Sequence, residues 1–488
     1  NSKNYIKYKM KYLILLSGLL LIVSCKSKKE SKNESKKQPN VVFILADQWR
    51  AQDIGFAGND QVITPTLNGL SKEAVVFTNA ISNIPVCTPA RASLMTGKYP
   101  LSHGLFYNDK PLKSEENCVA EVYKDNGYNT GYIGKWHING HPQGMKNSAG
   151  RNLPVTADRR QGFDYWKVHE CTHNYNNSIY YDENDVKHKW EGYDAIAQTK
   201  DAIKYMQTNK ENPFVLFVSY GPPHAPYQTA PQKYKDLYKD MDIKLRPNVP
   251  ENRAEKAKED IKGYYAHISA LDDCIAALQK EIKDLGIEEN TIFVFTSDHG
   301  DMLYSHSQVK KQKPWEESIN VPFIIKYPAK LKAGTKMTKM FSFPDIMPTL
   351  LGMSNLPIPE SVQGIDYTGQ LLGTEELDIE AALITCPVPF HQWKYKLGGR
   401  EYRGVRTEKY TYVKDLKGPW LLYDNVKDPY QLNNVADKEA YADIQADLET
   451  KLQIILDKNA DEFLPAEAYM KAWGYEWDGT DNEKGHAH

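Results

Sequence analysis

Short apolar runs separated by amphipathic stretches dominate the middle of the chain. Residues 40–46 (N-V-V-F-I-L-A) form a continuous apolar run, which is typical of a strand buried on both faces of a mainly parallel sheet. Similar runs occur at 214–218 and 291–296. Between these two runs, apolar residues recur at spacings of three and four over 268–285 and stop before Gly286. This spacing predicts an amphipathic helix that ends at a glycine.

The same order of helix and strand occurs earlier in the chain. Residues 117–126 are predicted to form a helix, Gly127 follows it, and residues 130–133 are predicted to form a strand. Alternation of helices and strands predicts the α/β class. With 488 residues, 41 % of them hydrophobic and 25 % charged, the chain is long enough for one large core and a smaller appended domain. We assign the large domain to residues 39–390.

The pattern changes after about residue 390. Residues 404–413 and 420–426 are predicted to be neighbouring strands, separated by a turn at 417–419 (K-G-P). A smaller antiparallel sheet is therefore expected, followed by a helix over 439–456. We assign residues 391–488 to a C-terminal subdomain that ends in a polar tail.

The first segment of the chain predicts export. Residues 12–23 are apolar, are too short for a membrane-spanning helix and follow three lysines, which is the pattern of a signal peptide. The run ends in I-V-S-C at Cys25, which resembles the lipobox of bacterial lipoproteins and predicts lipidation of Cys25. Residues 1–25 are therefore predicted to be a signal peptide with a lipobox, with Met10 as a candidate start and a plain signal peptide as the alternative. Residues 26–38 are polar and are expected to be a solvated tether.

The expected location is thus outside the cytoplasm, with attachment to a bacterial membrane by the lipid only and exposure to the periplasm or the cell surface. Net charge does not indicate nucleic acid as a partner. The chain has 61 Lys and Arg against 63 Asp and Glu, so no bulk positive field indicates nucleic-acid binding, although a polyanion can still meet a local basic cleft.

None of the six cysteines shows C-x-x-C spacing, so the sequence does not indicate a zinc site. Cys274 lies between leucines at helical spacing, which favours a buried thiol. Pairing among the dispersed cysteines stays open at this point; they are Cys118, Cys171, Cys274 and Cys386.

The strongest chemical signal is the segment C-T-P-A-R-A-S-L-M-T-G at 87–97. Pro89 suits the first turn of a helix, so Cys87 is predicted to lie at the positive end of the helix dipole, where backbone N–H groups favour an anion. Arg91, one turn into the helix, is a permanent fork-shaped donor. The segment resembles the signature of the formylglycine-dependent (type I) sulfatases, Cys-x-Pro-x-Arg followed by Thr-Gly.

The resemblance implies that a formylglycine-generating maturation enzyme oxidises Cys87 to formylglycine while the chain is unfolded. The aldehyde hydrates to a geminal diol, of which one hydroxyl, polarised by a metal, attacks sulfur and expels the alcohol. The other hydroxyl then loses its proton, which eliminates sulfate and restores the aldehyde. Arg91 would support the modified side chain. Over about residues 39 to 455, the resemblance also implies the alkaline-phosphatase-like α/β/α sandwich.

Polar residues follow two of the predicted strands. Asp47 and Gln48 follow the predicted strand at 40–46, and Asp298 and His299 follow the predicted strand at 291–296. Both pairs lie at carboxyl ends of predicted parallel strands, where open α/β sheets place their ligands. With Cys87 as a diol, they suit a hard cation, Ca²⁺ or Mg²⁺, better than zinc. The resemblance implies calcium, although Gln48 replaces a usual Asp and His299 a usual Asn.

Further catalytic roles follow from the resemblance. Lys135 and His137, in G-Y-I-G-K-W-H, resemble the family's Gly-Lys-Trp-His element, in which the lysine binds a sulfate oxygen and the histidine is the base for elimination. His224, in G-P-P-H-A-P-Y, resembles the histidine that faces the leaving group, which implies a general acid. Lys311 lies four residues before an aromatic-Glu pair, as the family's sulfate-binding lysine does, and Lys313 is the alternative.

Polar and aromatic loops are candidates for substrate contacts, because loops rich in Tyr, Asn and His suit carbohydrate. The candidates are His173 within 169–181, His391, Arg400 and Arg403. A bacterial lipoprotein sulfatase of this kind implies a sulfated polysaccharide substrate, either an algal glycan such as ulvan or carrageenan, or a glycosaminoglycan.

Two alternatives stay open. A phosphomonoester, phosphodiester or phosphonate hydrolase of the same superfamily would be favoured by a second metal site, and the sequence shows no convincing one. A glycan-binding lipoprotein without activity would require the loss of the nucleophile or a metal ligand, and none is lost.

Overall fold

The apolar run at 40–46 forms the central strand of a large mixed sheet. The computed structural model describes residues 38–141 and 150–475. The predicted signal peptide, Cys25 and tether residues 26–37 lie outside the described residues. In the described part, the strands of this sheet are β1 (Asn40–Asp47), β2 (Val75–Ile81), β3 (Asn129–Lys135), β4 (Tyr165–His169), β5 (Ile179–Tyr181), β6 (Lys187–Lys189), β7 (Phe214–Pro223), β8 (Thr291–Ser297), β9 (Asn320–Lys326), β10 (Thr335–Met337) and β11 (Phe341–Ser342).

The strand order is β10-β2-β9-β8-β1-β7-β3-β4-β5-β6, and β11 pairs with β2. Strands β8, β1, β7 and β3 are neighbours and run parallel. Their carboxyl ends therefore meet at one edge of the sheet, which is where open α/β sheets bind ligands. Strand β9 runs antiparallel to both β8 and β2, so the sheet is mixed.

The helices alternate with these strands. In the described residues they are α1 (Pro65–Glu73), α2 (Cys87–Thr96), α3 (Pro100–His103), α4 (Val119–Asp125), α5 (Asp194–Asn209), α6 (Gln232–Lys235), α7 (Ala254–Asp284), α8 (Glu316–Ile319), α9 (Ile346–Met353), α10 (Thr368–Leu372), α11 (Ala442–Lys458) and α12 (Ala466–Ala472). None of them is both long and apolar enough to span a membrane.

Alternate side chains of β1 point to opposite faces of the sheet. Val42 and Ile44 belong to one apolar cluster, which α5 and α7 cover, whereas Phe43 and Leu45 belong to a second cluster, which α2, α4 and α9 cover. This arrangement is the predicted α/β/α sandwich. The predicted helix over 268–285 is the second half of α7, and its stop is confirmed by Gly286 at φ 67°.

A second sheet, antiparallel and four-stranded, follows in the chain. It consists of β12 (Ala381–Cys386), β13 (Tyr402–Thr407), β14 (Tyr410–Asp415) and β15 (Gly418–Asp424) in that order. The small sheet begins at Ala381, ten residues before the predicted start of the C-terminal subdomain at residue 391. Helix α11 covers one face of this sheet through Leu448, Leu452 and Leu456.

The single strand expected over 404–413 is wrong. The chain turns between β13 and β14, where the Thr407 hydroxyl accepts the backbone N–H of Tyr410 at 2.9 Å. A side-chain acceptor at the turn replaces the ladder bond that a continuous strand would make, so two short antiparallel strands form.

Candidate active site

Cys87 is the first residue of α2 and is 1 % exposed. The helix starts after extended Val86 and ends before Gly97, which has φ 65° and donates its N–H to the Ser93 carbonyl. As predicted, Pro89 lies in the first turn. The helix therefore presents Cys87 at its N-terminus, where partial positive charge favours an anion. All five described cysteines, Cys87 included, are free thiols, so none of them forms a disulfide.

Four candidate metal ligands meet at this point. Asp47 ends β1, Asp298 and His299 follow β8, and one ligand atom from each of them and from Cys87 lies within 4.8 Å of the others. The Cys87 Sγ lies 3.6 Å from Asp47 Oδ1 and 3.2 Å from His299 Nε2. His299 Nδ1 lies 2.9 Å from the Gly300 carbonyl, which can only accept, so Nδ1 carries the hydrogen. Its Nε2 is left as an electron-pair donor facing the cluster.

Gln48 adds an oxygen next to these ligands. It has φ 69°, and its backbone N–H donates to Asp298 Oδ1 at 3.1 Å. Its Nε2 donates to Asp301 Oδ2 at 2.6 Å, while its Oε1 is buried with no hydrogen-bond partner in the described residues. A buried acceptor without a donor, beside two carboxylates and an imidazole, fits a divalent cation. The five predicted ligands are therefore chemically suited to a divalent cation.

Three buried cations surround the carboxylates and the sulfur. Lys135, the last residue of β3, donates to Asp47 Oδ2, and its Nζ lies 3.6 Å from Cys87 Sγ. Lys311 Nζ lies 2.9 Å from the same sulfur. Arg91 donates through Nε to Asp298 at 3.0 Å and through Nη2 to Asp47 at 3.4 Å. Arg91 thus orients two of the ligands, and the lysines form an anion site at the nucleophile.

These charges also determine the state of Asp47. Burial alone would raise the pKa of Asp47, but the charges of Lys135, Lys311 and Arg91 hold this pKa well below its usual range. Asp47 is therefore a carboxylate, the form that a metal requires.

His224 directly follows β7 and reaches the nucleophile through Lys311. Its Nε2 lies 3.2 Å from Lys311 Nζ, and its Nδ1 lies 2.8 Å from the Ala225 carbonyl. Burial and the charge of Lys311 lower the pKa of His224 well below its ordinary value. The ring of His173 stacks on His224 with centroids 4.4 Å apart and planes 14° apart. The structure thus brings one predicted substrate residue next to the predicted general acid.

His137 contacts the residue that follows the nucleophile. Its backbone carbonyl accepts the hydroxyl of Thr88, the residue after Cys87, at 2.8 Å. Its Nε2 lies 3.1 Å from Asp109 Oδ1, and Arg151 donates to Asp109 Oδ2 at 2.9 Å. Sequence reasoning missed Asp109 and Arg151, because neither lies in a motif or follows a predicted strand.

Lys311 and Lys313, the two candidates for the sulfate-binding lysine, point to different partners. Lys311 contacts Cys87, whereas Lys313 Nζ donates to the carbonyls of Val309 and Gln392 at 2.8 and 3.2 Å. Burial lowers the pKa of Lys313 to about 7. Of the lysines at 311 and 313, Lys311 is therefore the one that lies beside the nucleophile.

One predicted substrate residue has a structural role instead. Arg403 is fully buried, and its guanidinium donates to both carboxylate oxygens of Asp461 and to the Tyr469 hydroxyl. A buried, fully paired side chain cannot reach substrate, so the predicted substrate contact of Arg403 is wrong. Arg400 pairs with Asp415 at 2.9 Å and lies 4.3 Å over the Trp420 ring on the small sheet. His391 packs against Phe390. The substrate roles of Arg400 and His391 both stay predictions.

Comparison with known proteins agrees with this geometry. The family model described as "Sulfatase" matches residues 39–356, and the model described as "N-sulphoglucosamine sulphohydrolase, C-terminal" matches residues 305–458. An ulvan-active sulfatase from Formosa agariphila is 43 % identical over 462 residues, which are 93 % of this chain and 88 % of that protein. An endo-4-O-sulfatase from Bacteroides thetaiotaomicron is 30 % identical over 500 residues, covering 91 % and 97 % of the two chains.

Solved structures show the same similarity. A Bacteroides thetaiotaomicron sulfatase, solved in work on the metabolism of glycosaminoglycans, superposes with a TM-score of 0.81 at 27 % identity. The superposition covers 89 % of this chain and 99 % of that one. The likeness therefore extends over most of the chain.

Proposed function

The chain belongs to the sulfatase family and is a sulfuric ester hydrolase, and we propose that its substrate is a sulfated polysaccharide or oligosaccharides derived from one. One observation carries the activity: Lys135 and Lys311 place their ammonium groups 3.6 and 2.9 Å from the Cys87 sulfur at a helix N-terminus. Two permanent donors and a helix dipole at one atom suit an oxyanion such as sulfate.

A sulfated algal glycan of the ulvan type is the leading candidate. The support is the ulvan-active relative, which is 43 % identical over 93 % of this chain. Carrageenan and glycosaminoglycans are the alternatives, and the glycosaminoglycan alternative is supported by the similarity to the Bacteroides thetaiotaomicron enzymes.

We propose calcium as the metal, with magnesium as the alternative. Asp47, Gln48, Asp298 and His299 would hold it together with the side chain made from Cys87, and three oxygen donors among them suit a hard cation. When bound, such an ion supplies Lewis-acid polarisation of the nucleophile and of the sulfate ester.

The chain's own residues then have separate roles. Cys87, once converted to formylglycine by a maturation enzyme, provides the attacking oxygen at the N-terminus of α2. Lys135 and Lys311 bind sulfate oxygens, and Arg91 keeps Asp47 and Asp298 oriented through its two hydrogen bonds. His224 is the proposed general acid together with Lys311: its Nδ1 carries the ring hydrogen against the Ala225 carbonyl, and its Nε2 lies 3.2 Å from the Lys311 ammonium, so the proton for the leaving alcohol comes from this Lys311–His224 pair.

We also propose that the protein is exported and is attached to a bacterial membrane by a lipid on Cys25, facing the periplasm or the cell surface. The apolar segment and the I-V-S-C sequence before the tether support this proposal. Cys25→Ala should move the protein from the membrane fraction to the soluble fraction. Unchanged membrane attachment of this variant would contradict lipidation.

The rival phosphate-ester and phosphonate chemistry finds less support. In residues 38–141 and 150–475, one group of His, Cys, Asp and Glu side chains is close enough to hold an ion. The phosphatase alternative requires a second metal site with added carboxylates and histidines.

A panel of sulfated oligosaccharides tests the proposal. The enzyme is produced with a formylglycine-generating enzyme, the converted fraction of Cys87 is measured by mass spectrometry, and Cys87→Ala is purified in parallel as the inactive control. We expect sulfate release from ulvan oligosaccharides by the wild type only. Faster turnover of 4-nitrophenyl phosphate than of every sulfate ester, or no release from any glycan at high conversion, would refute the proposal.

A further inference from the structure

Asp109 contacts one of the predicted catalytic residues. Its Oδ1 lies 3.1 Å from Nε2 of His137, and the two side chains are 8 % and 3 % exposed. Both residues have φ 60°, in the left-handed region that non-glycine residues rarely adopt. Such conformations persist where the surrounding structure holds them, and they cluster at functional sites.

Asp109 is held as a carboxylate by its other neighbours. Arg151 Nη2 lies 2.9 Å from Oδ2, and His141 Nε2 lies 3.4 Å from Oδ1. Burial alone would raise the pKa of Asp109, but the hydrogen bonds from His137 and His141 and the charge of Arg151 hold it well below its usual range. A carboxylate only accepts hydrogen bonds, so the hydrogen between the two side chains belongs to Nε2 of His137.

The other ring nitrogen of His137 is therefore a bare acceptor. Burial and the charge of Lys135 lower the pKa of His137 well below its ordinary value, so the ring is neutral at neutral pH. Its Nδ1 is buried and has no hydrogen-bond partner in the described residues. The residue is next to the nucleophile, because its carbonyl accepts from Thr88 and Lys135 lies two positions earlier. An unsatisfied buried acceptor here indicates a proton acceptor for the reaction.

We propose that Asp109 is a positioning residue that fixes His137 as the Nε2–H tautomer and thereby makes Nδ1 the atom that accepts the proton when sulfate is released. In that step, the proton of the free hydroxyl on the side chain derived from Cys87 moves to Nδ1. The electrons of that O–H bond form the aldehyde C=O, and sulfate leaves with the electrons of the C–O bond. The inference rests on the sulfatase chemistry proposed above and is independent of which glycan is the substrate.

Asp109→Asn tests the proposal because Arg151 determines which way the new amide points. Arg151 can only donate, and it contacts both oxygens of Asp109: Nη2 lies 2.9 Å from Oδ2, while Nε and Nη2 each lie 3.3 Å from Oδ1. The shortest of these bonds favours the amide oxygen at the Oδ2 position, which turns the NH₂ group toward His137 Nε2. Nε2 must then accept, which moves the ring hydrogen to Nδ1 and removes the proton acceptor. The first half-reaction does not use Nδ1, whereas the second does.

The expected result is a burst of alcohol release followed by slow turnover. Asp109→Asn should release about one equivalent of alcohol per converted enzyme and then turn over roughly 10²- to 10⁴-fold more slowly than wild type. KM should fall together with kcat, and the peptide that contains residue 87 should gain the mass of one sulfate. An aryl sulfate replaces the glycan if no glycan is cleaved, so failure of the substrate assignment does not affect this test.

Asp182→Asn is the matched control. Asp182 Oδ2 pairs with His188 Nε2 at 2.7 Å on strand β6, so the same chemical change is made at a second Asp–His pair. The control should show neither a burst nor a trapped sulfate. Full multiple turnover by Asp109→Asn without covalent sulfate would overturn the proposal.

A second measurement requires no active enzyme. In the unconverted Cys87 protein with ¹⁵N-labelled histidine, long-range ¹H–¹⁵N correlation reports which ring nitrogen carries hydrogen, and His137→Gln identifies the signals. We expect the Nε2–H form in wild type and the Nδ1–H form in Asp109→Asn. An Nδ1–H form of His137 in the wild type would overturn the proposal even if Asp109→Asn failed to fold.

Discussion

Lys311→Met removes one of the two ammonium groups at the nucleophile and keeps most of the side-chain volume. Lys311 Nζ lies 2.9 Å from Cys87 Sγ, and the residue is 6 % exposed. A hydrogen bond between charged groups contributes about 1.5–3 kcal/mol, and about 1.4 kcal/mol corresponds to a tenfold change in rate. Since Lys135 still contacts the same atom, we expect kcat/KM to fall about 10- to 150-fold.

Lys313→Met is the matched control for this variant. Lys313 is also buried, at 0 % exposed, but its ammonium donates to two backbone carbonyls instead of facing Cys87. Its kcat/KM should stay close to that of the wild type. Initial rates with an aryl sulfate or a cleaved oligosaccharide, at equal formylglycine content and similar Tm, give both values. A larger loss in Lys313→Met, or an unchanged Lys311→Met, would refute the assignment of Lys311 to sulfate.

Three further predictions concern the nucleophile, the metal and a buried carboxyl group outside the active site. Cys87→Ser should trap a sulfated serine after one turnover, because serine has no second hydroxyl to expel sulfate. Mass spectrometry detects this adduct. Multiple turnover by the variant would contradict the formylglycine mechanism. Chelation with EDTA should lower both activity and Tm, and added Ca²⁺ should restore them, because an ion that binds only the folded state stabilises that state. An unchanged Tm would argue against a metal at Asp47 and Asp298. Burial raises the pKa of Asp194 to about 7, so its contribution to stability is present below about pH 4 and is lost as pH rises to about 7. The difference in unfolding free energy between Asp194→Asn and wild type, from urea titrations, should grow by up to about 4 kcal/mol over that range, whereas parallel curves would refute the effect.

The sequence alone was sufficient for the central strands and for the helix that carries the nucleophile. The apolar run at 40–46 and the Pro89 position are local signals, because burial on both faces of a strand and the first turn of a helix each depend on a few adjacent residues. The same locality explains why the motif residues were found: Asp47, Lys135 and Asp298 stand at or directly after predicted strands. Parallel strands then bring their carboxyl ends to one edge.

The tertiary structure alone decided how those motifs are oriented and which other residues support them. Asp109 and His137 are 28 positions apart and meet only because the loop before α4 packs beside β3. Arg403 resembled a substrate contact in the sequence, yet packing against Asp461, 58 positions later, buries it completely. Periodicity and motif spacing describe neighbours along the chain, whereas the pairing of buried charges depends on which distant segments share a low-dielectric interior.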